Sequence, residues 1–403
     1  MSSTAEPVHR APAAQRGRAA LAVLFATVFI DLLGFGIVIP FLPLYAARLH
    51  VKALGVGLIL SSYSVMQLLC APLLGALSDR YGRRPIIMLG LLGSSVSYLI
   101  YGFASSFALL LISRAAHGAC AGTVATAQAY IADTTAESER AHGMGMIGAA
   151  FGLGFVVGPA LGGLLGHSDL RVPVLFAAML TLMNLIFAFL ALPESHTPVR
   201  LTKRRLIAIA VPLLRLPGQL TGSRVSRLFL IAFLQTSAMA AFETTFPLMV
   251  TAVYGYGTRG IGELLGFAGV IQVLTQGYLL RKVVASQGEL RLVRAGMLAF
   301  AAGMAPMASW SNRPLLWLLV GLVSLGYGLA SPSVASLISR GTEQHLQGEI
   351  LGVNQSALSL ARICGPLVAG LIYQKFAPSG VYFAGAATAL AALAFTRKVE
   401  SLL

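Results

Sequence analysis

About a dozen apolar stretches of roughly 20 residues each, parted by short polar segments, fill this chain from Ala20 to Thr396. A helix of that length spans the ~30 Å hydrocarbon core of a bilayer. Inside lipid every backbone donor and acceptor needs a partner in its own segment, so such a chain folds as embedded helices. Charged residues make up 11% of it, against about 25% in soluble domains. Spans are expected near 20–45, 56–77, 87–105, 108–131, 143–166, 172–192, 227–253, 261–281, 292–310, 315–338, 349–374 and 379–396. They nearly exhaust the 403 residues and leave little for a soluble domain.

The net charge of +15 does not signal nucleic acid. Lys and Arg gather on alternate connecting segments, starting with the N-terminal one, and basic segments stay in the cytoplasm. The expected topology therefore has both termini inside, with anionic inner-leaflet lipid as neighbour. The first apolar run is too long for a signal-peptide core and reads as a retained helix in a bacterial cytoplasmic (inner) membrane. Cys70, Cys120 and Cys364 all fall within spans and have no metal-site spacing.

The longest polar interruption, Glu194 to Arg227, is rich in arginine and includes Leu206–Leu216, either an amphipathic surface segment or a solvated linker. It divides the chain into a cytoplasmic segment 1–19, six spans over 20–193, a central loop 194–226, six spans over 227–397 and a tail 398–403. Pro40 and Pro247, like Pro159 and Pro366, are 207 residues apart (247 − 40, 366 − 159), as are Gly55 and Gly262. Matching offsets at matching places predict a duplicated six-helix unit, the plan of transporters whose substrate site lies between repeats.

Ionisable residues inside spans are costly and are the first functional candidates. A carboxylate at mid-bilayer is disfavoured by roughly 2.5–3.5 kcal/mol, which places Asp31 beside a polar interior where it gains and loses a proton. Arg114, in the fourth span, either supports that titration or snorkels to the outer interface. His117 titrates near neutrality, though a lone helical histidine is more often structural. In the second half Gln235, Glu243, Asn354, Gln355 and Arg362 are candidates for the substrate cavity. The dispersed histidines form neither a metal site nor a hydrolase motif, and no phosphate-cradling loop is present, so neither an enzyme nor a cofactor is implied.

The loop after the second span reads Gly75-Ala76-Leu77-Ser78-Asp79-Arg80-Tyr81-Gly82-Arg83-Arg84. Gly82 permits a tight turn, Asp79 can face a helix N-terminus, and Arg83 can grip a carboxylate with two donors. The fifth span carries Gly154, Gly158-Pro159 and Gly162-Gly163, small residues for close backbone packing with a proline kink. The loop pattern resembles the signature of the major facilitator superfamily, and the glycine series resembles the motif of its antiporters. This resemblance implies twelve helices in two pseudo-symmetric six-helix bundles. It also implies an inner gate of Asp79, Arg83 and the acidic Asp133, within the loop that includes Gly75, Arg80 and Gly82. Arg114 matches the basic residue of the antiport pathway, with His117 where glutamine is usual.

Ala129–Gly166, Gln347–Pro366 and Asp31 through Pro43 are similar to the tetracycline-efflux subgroup of drug:proton antiporters. Two acidic positions of that subgroup are absent: Ser95-Val96-Ser97-Tyr98-Leu99 stands for S-L-D-Y-L, and Phe300 follows Gly296-Met297-Leu298-Ala299. The expected function is proton-coupled export of a small amphipathic compound by a monomer. Uptake of a metabolite by symport or facilitated diffusion is the alternative.

Overall fold

The computed structural model describes residues 13–135, 137–195, 224–342 and 347–400. The expected surface segment Leu206–Leu216 lies outside them. All the regular structure among the described residues is helical. Ten stretches are long and apolar enough to cross a membrane.

α1 (Ala13–Val38) gives way to a 3₁₀ turn at Ile39–Phe41 before α2 (Leu42–Arg48). Pro40 lacks an amide proton, so the span expected over 20–45 is broken where its ring sits. α3 (Ala53–Tyr81) and α4 (Arg83–Gly102) meet at Gly82, whose φ of 102° suits glycine alone. The span expected over 108–131 is also interrupted, as α5 (Phe107–Cys120) stops and α6 (Thr123–Thr134) restarts two residues later. α7 (Glu137–Leu165) and α8 (Arg171–Ala191) complete the part before the central segment.

After it come α9 (Arg224–Tyr254) and α10 (Thr258–Leu274), a π turn at Thr275–Leu279, and α11 (Leu280–Gln287). α12 (Glu289–Met304), with 16 residues, is short for a spanning helix; α13 (Arg313–Arg340) is not. α14 runs from Gln347 to Glu400, 54 residues, but Phe376 and Ala377 leave helical geometry before Pro378. That interruption falls in the gap expected between 349–374 and 379–396.

Within each part the main packing pairs are α1 on α7 and α8, α3 on α5, α4 on α8, then α9 on α14 and α12 on α13. The parts meet mainly through α3 against α14 and α7 against α10. Missing side chains allow this approach. A Cβ on Gly57 would lie 2.3 Å from the Pro366 carbonyl, and one on Gly163 2.9 Å from Cα of Gly262. Towards the other end of the same helices, Gly75, Gly145, Gly148, Gly277 and Gly352 have nothing within 4 Å of such a Cβ. The two parts thus touch at one end and separate at the end bearing the Gly82 turn.

Candidate functional site

Asp31 lies three-quarters of the way along α1, half-buried, and its carboxyl is hydrogen-bonded by the Thr123 hydroxyl. Thr123 is the first residue of α6, so the break in the fourth span delivers this hydroxyl to the acid. Gly90 on α4 leaves room for it: a Cβ there would fall 2.6 Å from Thr123 Oγ1.

Arg114 does not snorkel. Its side chain turns into the bundle and is 1% exposed. Nη1 donates to His117 Nδ1 at 3.0 Å, and the guanidinium lies over the rings of Tyr63 (4.8 Å) and Phe35 (5.8 Å). Among the described residues no carboxylate is within ion-pair distance of it, Asp31 included, and Nε has no hydrogen-bond partner. The His117 ring is edge-on to Tyr98 (4.8 Å) and Tyr63 (5.2 Å). Tyr63 and Tyr98 are each within electrostatic reach of both Asp31 and Arg114. The acid and the guanidinium therefore share the same two phenols as neighbours.

At the open end Arg83 gathers the loop. Its Nε donates to Asp133 (2.9 Å), and Nη1 donates to Asp79 (2.5 Å) and to Ser78 Oγ (2.6 Å). Ser78 in turn donates to the Gly75 carbonyl. Arg80 stays outside the cluster, exposed, above the Tyr81 ring. The N-terminus of α4 is capped by Glu194, not by Asp79: its carboxylate accepts from the amides of Arg83 (2.9 Å) and Arg84 (3.2 Å). Sequence reasoning missed this residue, although an acid just after a span is a recognisable cap signal.

The glycines of α7 have two roles. Gly154, Gly158 and Gly162 let α1 close in, with Gly158 against Gly36 and Gly162 against Ile37 and Phe41, while Gly163 and the Pro159 carbonyl face Gly262 of α10. In the second part Glu243 and Arg362 are within electrostatic reach of each other, and both act on Tyr327. Among the described residues they form no direct ion pair. Arg362 also acts on Tyr63 across the boundary, beside the bond from Ser61 Oγ to the Ile363 carbonyl (2.7 Å). Gln355 is exposed near the open end. Gln235 and Asn354 are buried, with both amide atoms of Gln235 and Oδ1 of Asn354 unpartnered. A groove of about 500 Å³ between α10 and α13, lined by Phe267, Tyr278, Trp317 and aliphatic residues, holds none of these groups.

The profile of the Major Facilitator Superfamily matches residues 24–366. Over 390 residues, covering 94% of this chain and 96% of the other, the sequence is 33% identical to the class C tetracycline resistance protein of Escherichia coli. It is 29% identical to multidrug resistance protein 1 of Bacillus subtilis (strain 168), covering 90% and 92%. The crystal structure of the human organic anion transporter MFSD10 superposes with a TM-score of 0.69 at 28% identity, covering 94% of this chain and 99% of that one.

Proposed function

Because this chain belongs to the major facilitator superfamily, and is a transporter rather than an enzyme, we propose that it exports a small amphipathic compound in exchange for protons. Twelve spans in two six-helix bundles, 20–193 and 227–397, rock about the substrate site between them. The bundles are joined by a cytoplasmic loop at 194–226, with cytoplasmic ends at 1–19 and 398–403. The carrier works as a monomer in a bacterial cytoplasmic membrane and takes its energy from the proton gradient rather than from a cofactor.

One observation carries the reading: Asp31, deep in an apolar span, keeps a half-open position and a hydroxyl partner. An acid so placed is stable neutral in one arrangement and charged in another. Its protonation thus biases the rocking equilibrium without any need for substrate to touch it. The membrane potential adds about 2.3 kcal/mol per charge per 100 mV for movement across the whole field. Positive-inside topology puts the open end in the cytoplasm, where cargo enters. The Arg83 cluster is then the inner gate, and Gln235, Glu243, Asn354, Gln355 and Arg362 offer polar contacts in the cavity. Relatives are named for tetracycline and multidrug resistance. Without the two subgroup carboxylates, metal–tetracycline is not the cargo expected here.

In everted vesicles an interior-acid gradient should drive accumulation of compounds from an amphipathic panel. Asp31→Asn should abolish that drive while substrate-for-substrate exchange persists. Proton-driven exchange at the wild-type rate in this variant would remove Asp31 from the mechanism, and flux driven only in the opposite sense would favour symport.

A further inference from the structure

We propose that His117 is a second proton-carrying residue of the cycle, linked to Asp31 by a shared guanidinium, Arg114; this rests on the reading of Asp31 given above. Among the described histidines, His50 and His167 lie between helices and His142 stands at the very start of a span. His117 lies well inside one, 4% exposed.

Its hydrogen bond fixes its protonation in this arrangement. A guanidinium has donors and no acceptor, so His117 Nδ1 must accept, and the neutral ring carries its proton on Nε2. A proton at Nδ1 would abolish that bond and set two cations face to face. His117 can therefore be charged only after Arg114 has left it. The groups around the pair are few: Phe35 from α1, Tyr63 from α3, Tyr98 and Tyr101 from α4, with Asp31 of α1 reached through Tyr63 and Tyr98 and Arg362 of α14 through Tyr63. Asp31 is the single acid among them, and Phe35, under the guanidinium, is one helical turn after it.

Two arrangements follow, with equal charge. In the first, Arg114 is held by His117, as seen here, and the proposal assigns the proton to Asp31 beside Thr123. In the second, Asp31 is ionised and draws Arg114 past Tyr63 and Tyr98, and the vacated Nδ1 takes up one proton. One proton lost by Asp31 is balanced by one gained at His117. A merely structural histidine would supply the acceptor and never the second state.

His117→Gln separates the two, because its amide oxygen can still accept from Arg114 but cannot titrate. We expect proton-driven exchange to slow by about tenfold or more. The pH–rate profile should lose one titrating group, while substrate-for-substrate exchange stays near wild type. A wild-type rate and profile would overturn the proposal; if Asp31→Asn is also inactive in proton-driven exchange, the antiport reading survives that failure. Should the variant misfold, ¹⁵N NMR of a chain retaining only His117 decides. The expected signals are an unprotonated Nδ1 in the resting protein and a doubly protonated ring once a transported compound of the amphipathic panel, at saturation, drives the second arrangement. A ring that stays neutral in both conditions overturns it.

Discussion

Gly82 ties the loop motif to a backbone requirement. At φ 102° and ψ 160° it occupies a region essentially reserved for glycine, and a Cβ would meet a Glu194 oxygen at 2.4 Å. Gly82→Ala should therefore cost about 1–3 kcal/mol in strain. Displacing the Glu194 cap from the first turn of α4 adds about 1 kcal/mol. Thermal unfolding in detergent should show a lowered midpoint. Gly75→Ala is the matched control, since nothing lies within 4 Å of its Cβ and its helix gains propensity. Equal midpoints for the two variants would mean that the turn is not under the constraint its dihedral angles imply.

The second half carries this turn with its charges reversed. Gly288, 206 residues after Gly82, again has positive φ (75°) and opens α12. Glu289 stands where Arg83 does, and Arg340, 207 residues after Asp133, closes α13; they pair at 2.7 Å. An acid beginning one helix and a base ending the other also suit both helix dipoles, which the arrangement at Arg83 does not. The pairs differ in burial: the Arg83 side chain is 9% exposed, whereas Arg340 is 72% exposed. Arg340→Gln should accordingly cost at most about 1 kcal/mol, as exposed pairs do. Arg83→Gln leaves Asp133, 24% exposed, and the more open Asp79 without their shared cation and should cost more, about 2 kcal/mol. Denaturation midpoints of the two variants test the order, and the exchange Glu289→Arg with Arg340→Glu should recover part of the loss of either single change.

Most spans and the deep charges were legible beforehand because each follows from length, hydropathy or the cost of burying a charge; the break at Pro40 was not expected, although the missing amide proton accounts for it. Nor was the interruption at 121–122. Ala-Cys-Ala-Gly-Thr is locally indifferent, and the break is set by tertiary contacts: Thr123 with Asp31, and Leu74 against Gly122. Phe35, Tyr63 and Tyr98 were hidden for a related reason. An aromatic residue in an apolar span has the same hydropathy whether it faces lipid or encloses a guanidinium.

At the scale of the whole molecule, the same four helices that seal one end of the boundary leave glycines bare at the other. Along α7 and α10 the sealed end has Gly163 on Gly262, with Gly269 on the backbone of Phe155 and Val156 further along, while Gly148 and, in the π turn that continues α10, Gly277 face open space. Small residues have no packing value in a gap, but they permit close approach when the gap shuts. Rocking about the middle of these helices would bring the bare glycines together and part the sealed ones. This makes an asymmetric prediction for cross-linking once Cys70, Cys120 and Cys364 are replaced. A Cβ on Gly266 would be 3.5 Å from that of Ala160, close to disulfide geometry. Ala160→Cys with Gly266→Cys should oxidise readily, and the bond should arrest transport until it is reduced. The pair Gly148→Cys with Gly277→Cys should stay reduced in the resting carrier and cross-link only under a gradient that drives turnover. Transport through an oxidised Ala160→Cys/Gly266→Cys pair would mean that this end never opens, and the access path would then have to run elsewhere than between α7 and α10.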